Sequence, residues 1–290
     1  MSLISPYQSL ADRQFKGNLH AHSTLSDGIF SPQEVIDLYA NNCYDFLMLS
    51  DHDILSNPAD WKDRGMILIP GNEITANGCH LLHVNAHELI EPNPDRQQVL
   101  NAIQRSGGFA ILNHPNWGFN FCHWPQAELE RLRGYAGIEI YNGVTERAEG
   151  NAQATDRWDM LLSLGRKVWG YGNDDCHISA DMTIVWNMVF AEERSAEALL
   201  RALEAGQFYV STGVRLERIS QCGNRVHISS PDTVSYRLIG DYGTIFATAE
   251  GPELDFEAGP TLPFTYFRIE CFGKGHSRAW TQPFLLQAQA

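Results

Sequence analysis

The chain is poor in the features that mark several common protein classes. None of its 290 residues falls in an apolar run approaching the ~18 that a membrane-crossing helix needs, and the start, MSLISPYQSLADRQFKG, has no basic stretch leading into an apolar one. Neither a membrane span nor a secretory signal is expected, and the reading is of a cytoplasmic protein. Its six cysteines (Cys43, Cys79, Cys122, Cys176, Cys222, Cys271) are scattered without a C-x-x-C pair, so a disulfide framework is not expected. Basic residues are few: Lys+Arg 21 against Asp+Glu 35 gives a net charge of −14. That balance argues against nucleic acid or an anionic membrane held by bulk charge. There is no dinucleotide fingerprint, no P-loop and no G-x-S-x-G elbow, so NAD, ATP and a serine nucleophile are not expected. Internal repeats and low-complexity segments are also missing.

Hydrophobic residues make up 43%, enough for a sizeable core. The unusual feature is histidine: nine of 11 lie between His20 and His177. Up to about residue 210, short apolar runs alternate with helical stretches. FKGNLHAH, YDFLMLS, MILIPGNE, FAILNHP, GIEIYNG and KVWGYGNDDCH read as strands. SPQEVIDLYANN, residues 94–106, residues 152–164 and SAEALLRALEAG read as helices, with Ser31 and Ser195 as caps and Gly206 as a stop. This alternation predicts parallel strands with crossover helices, whose sites gather at the carboxyl ends of the strands. Residues 211–290 hold short alternating segments broken by Gly, Pro, Asn and Asp, and are expected to form a small antiparallel β domain after a 1–210 barrel.

Polar clusters fall at the strand ends. In HAHSTLSDG, His20 and His22 are two apart and share a face of a strand, and Asp27 follows a turn. SDHD places Asp51, His52 and Asp53 after a buried apolar run, where such groups are costly unless exposed or bound to a cation. Glu73 ends another strand. His80 and His83, three apart, face opposite sides, so at most one shares a site with Glu73. His114 ends FAILNHP, and in GNDDCH Asp175 and His177 again share a face. Five strand ends delivering His or carboxylate to one rim have a single economical cause, a polynuclear metal site. Imidazole with carboxylate suits Zn, Mn or Fe, and nine candidate ligands exceed what one ion uses, which implies two or three divalent ions. Asn142, at a strand end, and Arg147, able to pair with a phosphate in two hydrogen bonds, are candidate substrate contacts. Asp53 and His87 are candidates for a general acid.

In this order the motifs HAHSTLSDG, SDHD, GNE, the following His, NHP and GNDDCH resemble the signature of the PHP (polymerase and histidinol phosphatase) metallohydrolases over residues 15–215. The resemblance implies an α/β fold, a distorted (β/α)7 barrel, with a trinuclear metal site. Carried over by motif position, it implies that His20, His22, Glu73 and Asp175 hold one ion, that Glu73, His83 and His114 hold a second, and that Asp27, His52 and His177 hold a third. His80 stands as the alternative to His83, and Asp174 to Asp175. It further implies hydrolysis of a small phosphate ester by a metal-bridging hydroxide, without a protein nucleophile. The β-rich tail is similar to that of the CehA/McbA-like subgroup, which implies carbamate, amide or aryl ester hydrolysis as the alternative. A nuclease is disfavoured by the charge. A metal-storing or ligand-sensing protein is the non-catalytic alternative, and oligomeric state is not legible.

Overall fold

The computed structural model describes residues 2–287. Its first part contains β1 (Ser2–Ile4), β2 (Gln14–Asn18), α1 (Pro32–Asn41), β3 (Phe46–Met48), β4 (Ile67–Ile69), β5 (Gly71–Ile74), β6 (Leu81–Val84), α2 (Arg96–Ser106), β7 (Phe109–Leu112), α3 (Gln126–Arg131), β8 (Gly137–Asn142), α4 (Thr155–Ser163), β9 (Trp169–Asn173), β10 (Trp186–Phe190), α5 (Ala196–Ala205) and β11 (Phe208–Ser211). Strands follow, with one short 3-10 turn at Asp241–Gly243: β12 (Arg218–Cys222), β13 (Arg225–Ser229), β14 (Thr233–Gly240), β15 (Thr244–Glu250), β16 (Glu253–Glu257), β17 (Tyr266–Gly273), β18 (Arg278–Thr281) and β19 (Phe284–Gln287).

The helices begin and end where local chemistry dictates. The Ser31 hydroxyl accepts from the Glu34 N–H, the Glu34 carboxylate accepts from the Ser31 N–H, and Pro32 opens α1. Asp95 caps α2 and Ser195 caps α5; both helices stop at a left-handed glycine, Gly107 (φ 90°) and Gly206 (φ 78°). The six-residue α3, not expected from sequence, buries only Leu129 and is too short to show a helical repeat.

The expectation of parallel strands with crossover helices throughout a distorted (β/α)7 barrel is corrected by the pairing. Only β2–β3, β3–β4, β7–β8 and β8–β9 are parallel. β5–β6 and β6–β7 are antiparallel, and β10 runs antiparallel to both β2 and β11. Residues 75–80 between β5 and β6 are too few for a parallel crossover, which takes a dozen or more. The wall is two sheets, β5-β6-β7-β8-β9 and one running through β11-β10-β2-β3-β4. Single bridges Ala21–Cys176 and His52–Glu73 join them. The ladders break where the polar clusters begin. Asp53, His114 and Asp175 adopt left-handed φ of 53°, 31° and 53°, conformations that cannot continue a strand.

The strands after residue 211 do not pair only among themselves. β18 pairs with β11 and β19 with β1, so the larger sheet runs from the first strand through the tail into the wall of the site. β12-β13-β16 forms a separate three-stranded sheet. The main core combines β-strand residues such as Leu82, Ile111, Ile138 and Val210 with Leu199 and Leu203 of α5 and Trp280 of β18. All six cysteines are free, and no helix among the described residues is long and apolar enough to cross a membrane.

Candidate metal centre

Glu73, at the end region of β5, is the hub. It is fully buried, with Oε1 3.5 Å from His20 Nε2 and 3.3 Å from both His80 Nδ1 and His114 Nε2. Oε2 lies 3.6 Å from His22 Nε2 and 2.8 Å from His52 Nδ1. Asp175 Oδ1 stands 3.1 Å from both His20 Nε2 and His22 Nε2. At the outer side Asp27 meets His52 Nε2 at 3.4 Å and His177 Nε2 at 3.3 Å. Four overlapping groups have their ligand atoms within 4.8 Å of one another: His22, Asp27, His52 and His177; His20, His22 and Glu73; His20, His114 and Asp175; His80, His114 and His123.

Neighbouring residues fix which nitrogens face inward. Glu139, buried in β8, accepts from His20 Nδ1 (2.8 Å), the His114 N–H, Asn142 Nδ2 and Asn173 Nδ2. With a carboxylate accepting at Nδ1, the Nε2 lone pair of His20 faces the cluster. His177 Nδ1 donates to the Asp175 carbonyl at 2.8 Å, which likewise frees its Nε2. Replacing Glu139 by Gln is expected to weaken metal binding about 10–100-fold, the range for outer partners of metal-ligating histidine. Titration with zinc or manganese measures this, and parental affinity would remove Glu139 from the role.

The residues present fit bound cations. Of the thirteen buried side-chain atoms among the described residues that lack a hydrogen bond of good geometry, five belong to this cluster: His20 Nε2, His22 Nε2, His52 Nδ1, His114 Nδ1 and Glu73 Oε2. Orphaned donors and acceptors of this kind call for a ligand. Electrostatics agree. Burial alone would raise Glu73, but His20, His114 and His52 hold it well below the usual carboxylate range. Burial would lower His52, yet Asp27 and Glu73 push it up to about 10. Carboxylates so placed demand positive charge, which protons on imidazole or metal ions supply.

Several expected residues need correction. His80, not His83, faces Glu73. His83 points to the opposite side of β6, where its Nε2 lies 3.2 Å from Ser106 Oγ. Since that hydroxyl donates to the Ile103 carbonyl, the imidazole carries its proton on Nε2. Burial, with His87 adding to it, pushes His83 down to about 4. The unfolded imidazole, near 6.5, takes up its proton first, so this contribution to stability is present above pH 6.5 and is lost as pH falls toward 4. Between pH 7 and pH 5 the metal-free protein should lose about 2 kcal/mol relative to a His83→Gln variant, read from urea midpoints. An unchanged difference would sink this assignment.

Asp53 is turned away and accepts from the Thr75 N–H and hydroxyl and the Ala76 N–H. His87 is exposed on the loop after β6 and lies outside the cleft lining. Neither stands where a general acid is needed. Asn142 donates to Glu139 and to Asp175 Oδ2 (3.1 Å), and its oxygen accepts from Thr145; it positions ligands rather than facing substrate. Arg147 lines the cleft but is held by both oxygens of Asp181, which also accepts from the His177 and Ile178 N–H groups. Asp174 faces away from the cluster: its carboxylate accepts from Thr183, Ile184, Val185 and Tyr39. Asp51 anchors residues 23–26. The remaining expected ligands, His20, His22, Asp27, His52, Glu73, His114, Asp175 and His177, are brought together.

Sequence reasoning missed Glu139 and His123. Glu139 had a signal: an acid between Ile138 and Ile140 in a buried strand must find partners. His123 had none, since a loop brings its Nε2 to accept the His80 N–H at 2.8 Å.

The fold and donors define a class: an α/β protein with a polyhistidine–carboxylate centre at the ends of its strands. No family model matches the chain. Among solved structures, a two-domain protein from Bacteroides vulgatus containing a predicted PHP-like metal-dependent phosphoesterase shares its fold at a TM-score of 0.58 and 18% identity, covering 98% of this chain and 90% of that one. An uncharacterised protein of Methanocaldococcus jannaschii is 23% identical over 168 residues, 54% of this chain and 68% of its own length. The 5'-3' exoribonuclease of Haemophilus influenzae is 36% identical over 78 residues, and the chain spans only 28% of that protein's length. In fold the chain is similar to that two-domain protein along nearly its whole length.

Proposed function

We propose that the protein is a metal-dependent hydrolase of small phosphate esters. The observation that carries this reading is an open cleft of about 400 Å³ directly against the donors, with Asp27, His52, Glu73, His80, His114, Asp175 and His177 in its wall. A storage or structural site would be closed around its ions, whereas a catalytic one leaves room for water and substrate. His20, His22, Glu73 and Asp175 would hold one ion, Glu73, His80 and His114 a second, and Asp27, His52 and His177 a third, with Zn, Mn or Fe suiting the donors. Ions bound there acidify water and neutralise charge developing on ester oxygens.

The chain's own residues do the rest. Glu139 and Asn142 orient His20, His114 and Asp175. The Asp181 carboxylate fixes the turn carrying His177 and aims Arg147, the one cationic side chain other than histidine in the lining, along the cleft wall. The descriptions of the similar Bacteroides vulgatus structure, which contains a predicted PHP-like metal-dependent phosphoesterase, and of the Haemophilus influenzae exoribonuclease support phosphate-ester chemistry. The cleft's size and the net charge of −14 favour a small substrate over a polynucleotide.

A second reading, hydrolysis of carbamate, amide or aryl ester bonds as in the CehA/McbA-like subgroup, draws on the neutral part of the wall, Trp117, Val144, Ala148 and Ile178, and on the engagement of Arg147 by Asp181. Parallel assays of p-nitrophenyl phosphate and a naphthyl carbamate with metal-reconstituted protein decide between them. Cleavage of the carbamate alone overturns the phosphoesterase reading.

A further inference from the structure

His80 and His114, the two imidazoles assigned above to the second ion, lie on neighbouring segments, one entering β6 and the other leaving β7. A third ring, His123, packs against both. Its centroid is 4.6 Å from that of His80 and 4.7 Å from that of His114, and the three side chains can bring one nitrogen each within 4.8 Å of the others. Proximity alone would make His123 a third ligand. Its hydrogen bond excludes that: Nε2 of His123 accepts from the His80 backbone N–H at 2.8 Å. A neutral imidazole has one nitrogen that accepts and one that carries the proton. Since Nε2 spends its lone pair on the amide, Nδ1 holds the proton and has nothing to offer a cation. The ring also stands outside the cleft wall, which His80 and His114 both line.

The bond fixes a peptide instead. The unit joining Cys79 to His80 is held at both ends: its carbonyl accepts from Arg96 Nε at 2.7 Å, and its N–H is given to His123. The following carbonyl, that of His80, accepts from the Asn113 N–H and from Trp124 Nε1 at 3.0 Å. His123 is anchored in turn. Its own N–H donates to the Pro115 carbonyl, and its carbonyl accepts from Cys79 Sγ at 3.0 Å. Fixing the peptide sets the direction in which the His80 side chain leaves the backbone, and from there Nδ1 reaches to 3.3 Å from Glu73 Oε1.

We propose that His123 is a positioning residue for the second ion: its Nε2 holds the His80 amide and so presents His80 to the metal, while His123 itself is not a ligand. The assignment rests on the three-ion reading above and is independent of which ester is cleaved. Outer partners of a ligating histidine are worth about 10–100-fold in metal affinity, and a bond to its backbone rather than its ring belongs at the lower end, about 10-fold.

The test titrates metal-stripped protein with Mn2+ and follows the free ion by its electron paramagnetic resonance signal. Wild type should take up three ions. His123→Phe keeps the ring but has no acceptor, so one of the three should bind about 10-fold more weakly and the other two as before. His123→Gln carries an amide oxygen at about the reach of Nε2 and should restore parental binding. His123→Asn, whose oxygen reaches only as far as Nδ1, should not. Should His123→Phe fail to fold, the contrast between Gln and Asn decides. Parental binding by His123→Phe overturns the role. Equal losses in the Phe and Gln variants overturn it as well, because a ligating nitrogen would not be replaced by an amide oxygen that merely accepts a hydrogen bond. Uptake of fewer than three ions by wild type overturns the three-ion reading itself.

Discussion

Replacing Glu73 by Gln is expected to abolish turnover and strip the centre of metal, although Gln is nearly the same size. Glu73 is the carboxylate around which His20, His22, His52, His80 and His114 are arranged, all within 3.6 Å of one of its two oxygens. An amide keeps one acceptor and turns the other position into a donor, which faces nitrogens that must themselves donate electron pairs to ions. Since outer partners of metal-binding histidines cost ~10–100-fold when lost, loss of the shared inner carboxylate should exceed the top of that range. Two measurements check this: the metal content of purified variant and its turnover on the ester that wild type cleaves. Full metal content with parental turnover would remove Glu73 from the centre. A cooperative melt in the variant separates loss of metal from loss of fold.

The largest effect on stability is expected far from the centre, at Arg268. This side chain is 2% exposed and donates from Nε and Nη2 to Asp159 (2.7 and 2.8 Å) and from Nη1 to Glu270 (2.7 Å). The Tyr266 hydroxyl adds a bond to Asp159. Burial would lower Arg268, but Asp159 and Glu270 hold it well above its ordinary range. Arg268→Met fills the volume but leaves two buried carboxylates uncompensated, which should destabilise the protein by about 3–5 kcal/mol. Urea unfolding measures this, and a loss below about 1 kcal/mol would mean that the acids find other partners or water. Removing Asp159 and Glu270 together with Arg268, in favour of apolar residues, should recover much of the loss, because the penalty lies in breaking the set rather than in lacking it.

Much of the site was legible because its signals were local. HAHSTLSDG puts His20 and His22 two apart, where period-two geometry aims them together, and SDHD and GNDDCH set His52, Asp175 and His177 just past apolar runs. The same geometry left His80 and His83 as alternatives. The choice of His80 came from the register of β6 against β5, where His83 sits opposite Asn72 and its ring turns toward Ser106. Glu139 was marked only as a buried acid in need of partners, and neither its partners nor those of His123 could be read from the sequence. Their roles depend on partners 119 and 43 positions away in the chain. Asp53 and Asn142 were read as facing the cleft because both end strands. A left-handed turn sends Asp53 to the Thr75 amide, and Thr145 claims the Asn142 oxygen. Helices α1, α2 and α5 were legible from caps or stops, whereas the short α3 was not. The direction of β5 and β6 was not, since an apolar run reads the same in either orientation.

The shared sheet has a consequence for how this protein can be cut. Asp159 on α4 meets Arg268 on β17, β11 lies against β18, and the N-terminal β1 lies against β19. A fragment ending at residue 211 would bare the hydrogen-bonding rim of β11 and orphan an acid in the interior. Such a fragment should precipitate on expression rather than fold as a smaller domain. Co-expressed halves, by contrast, have a ready-made seam along which to reassemble.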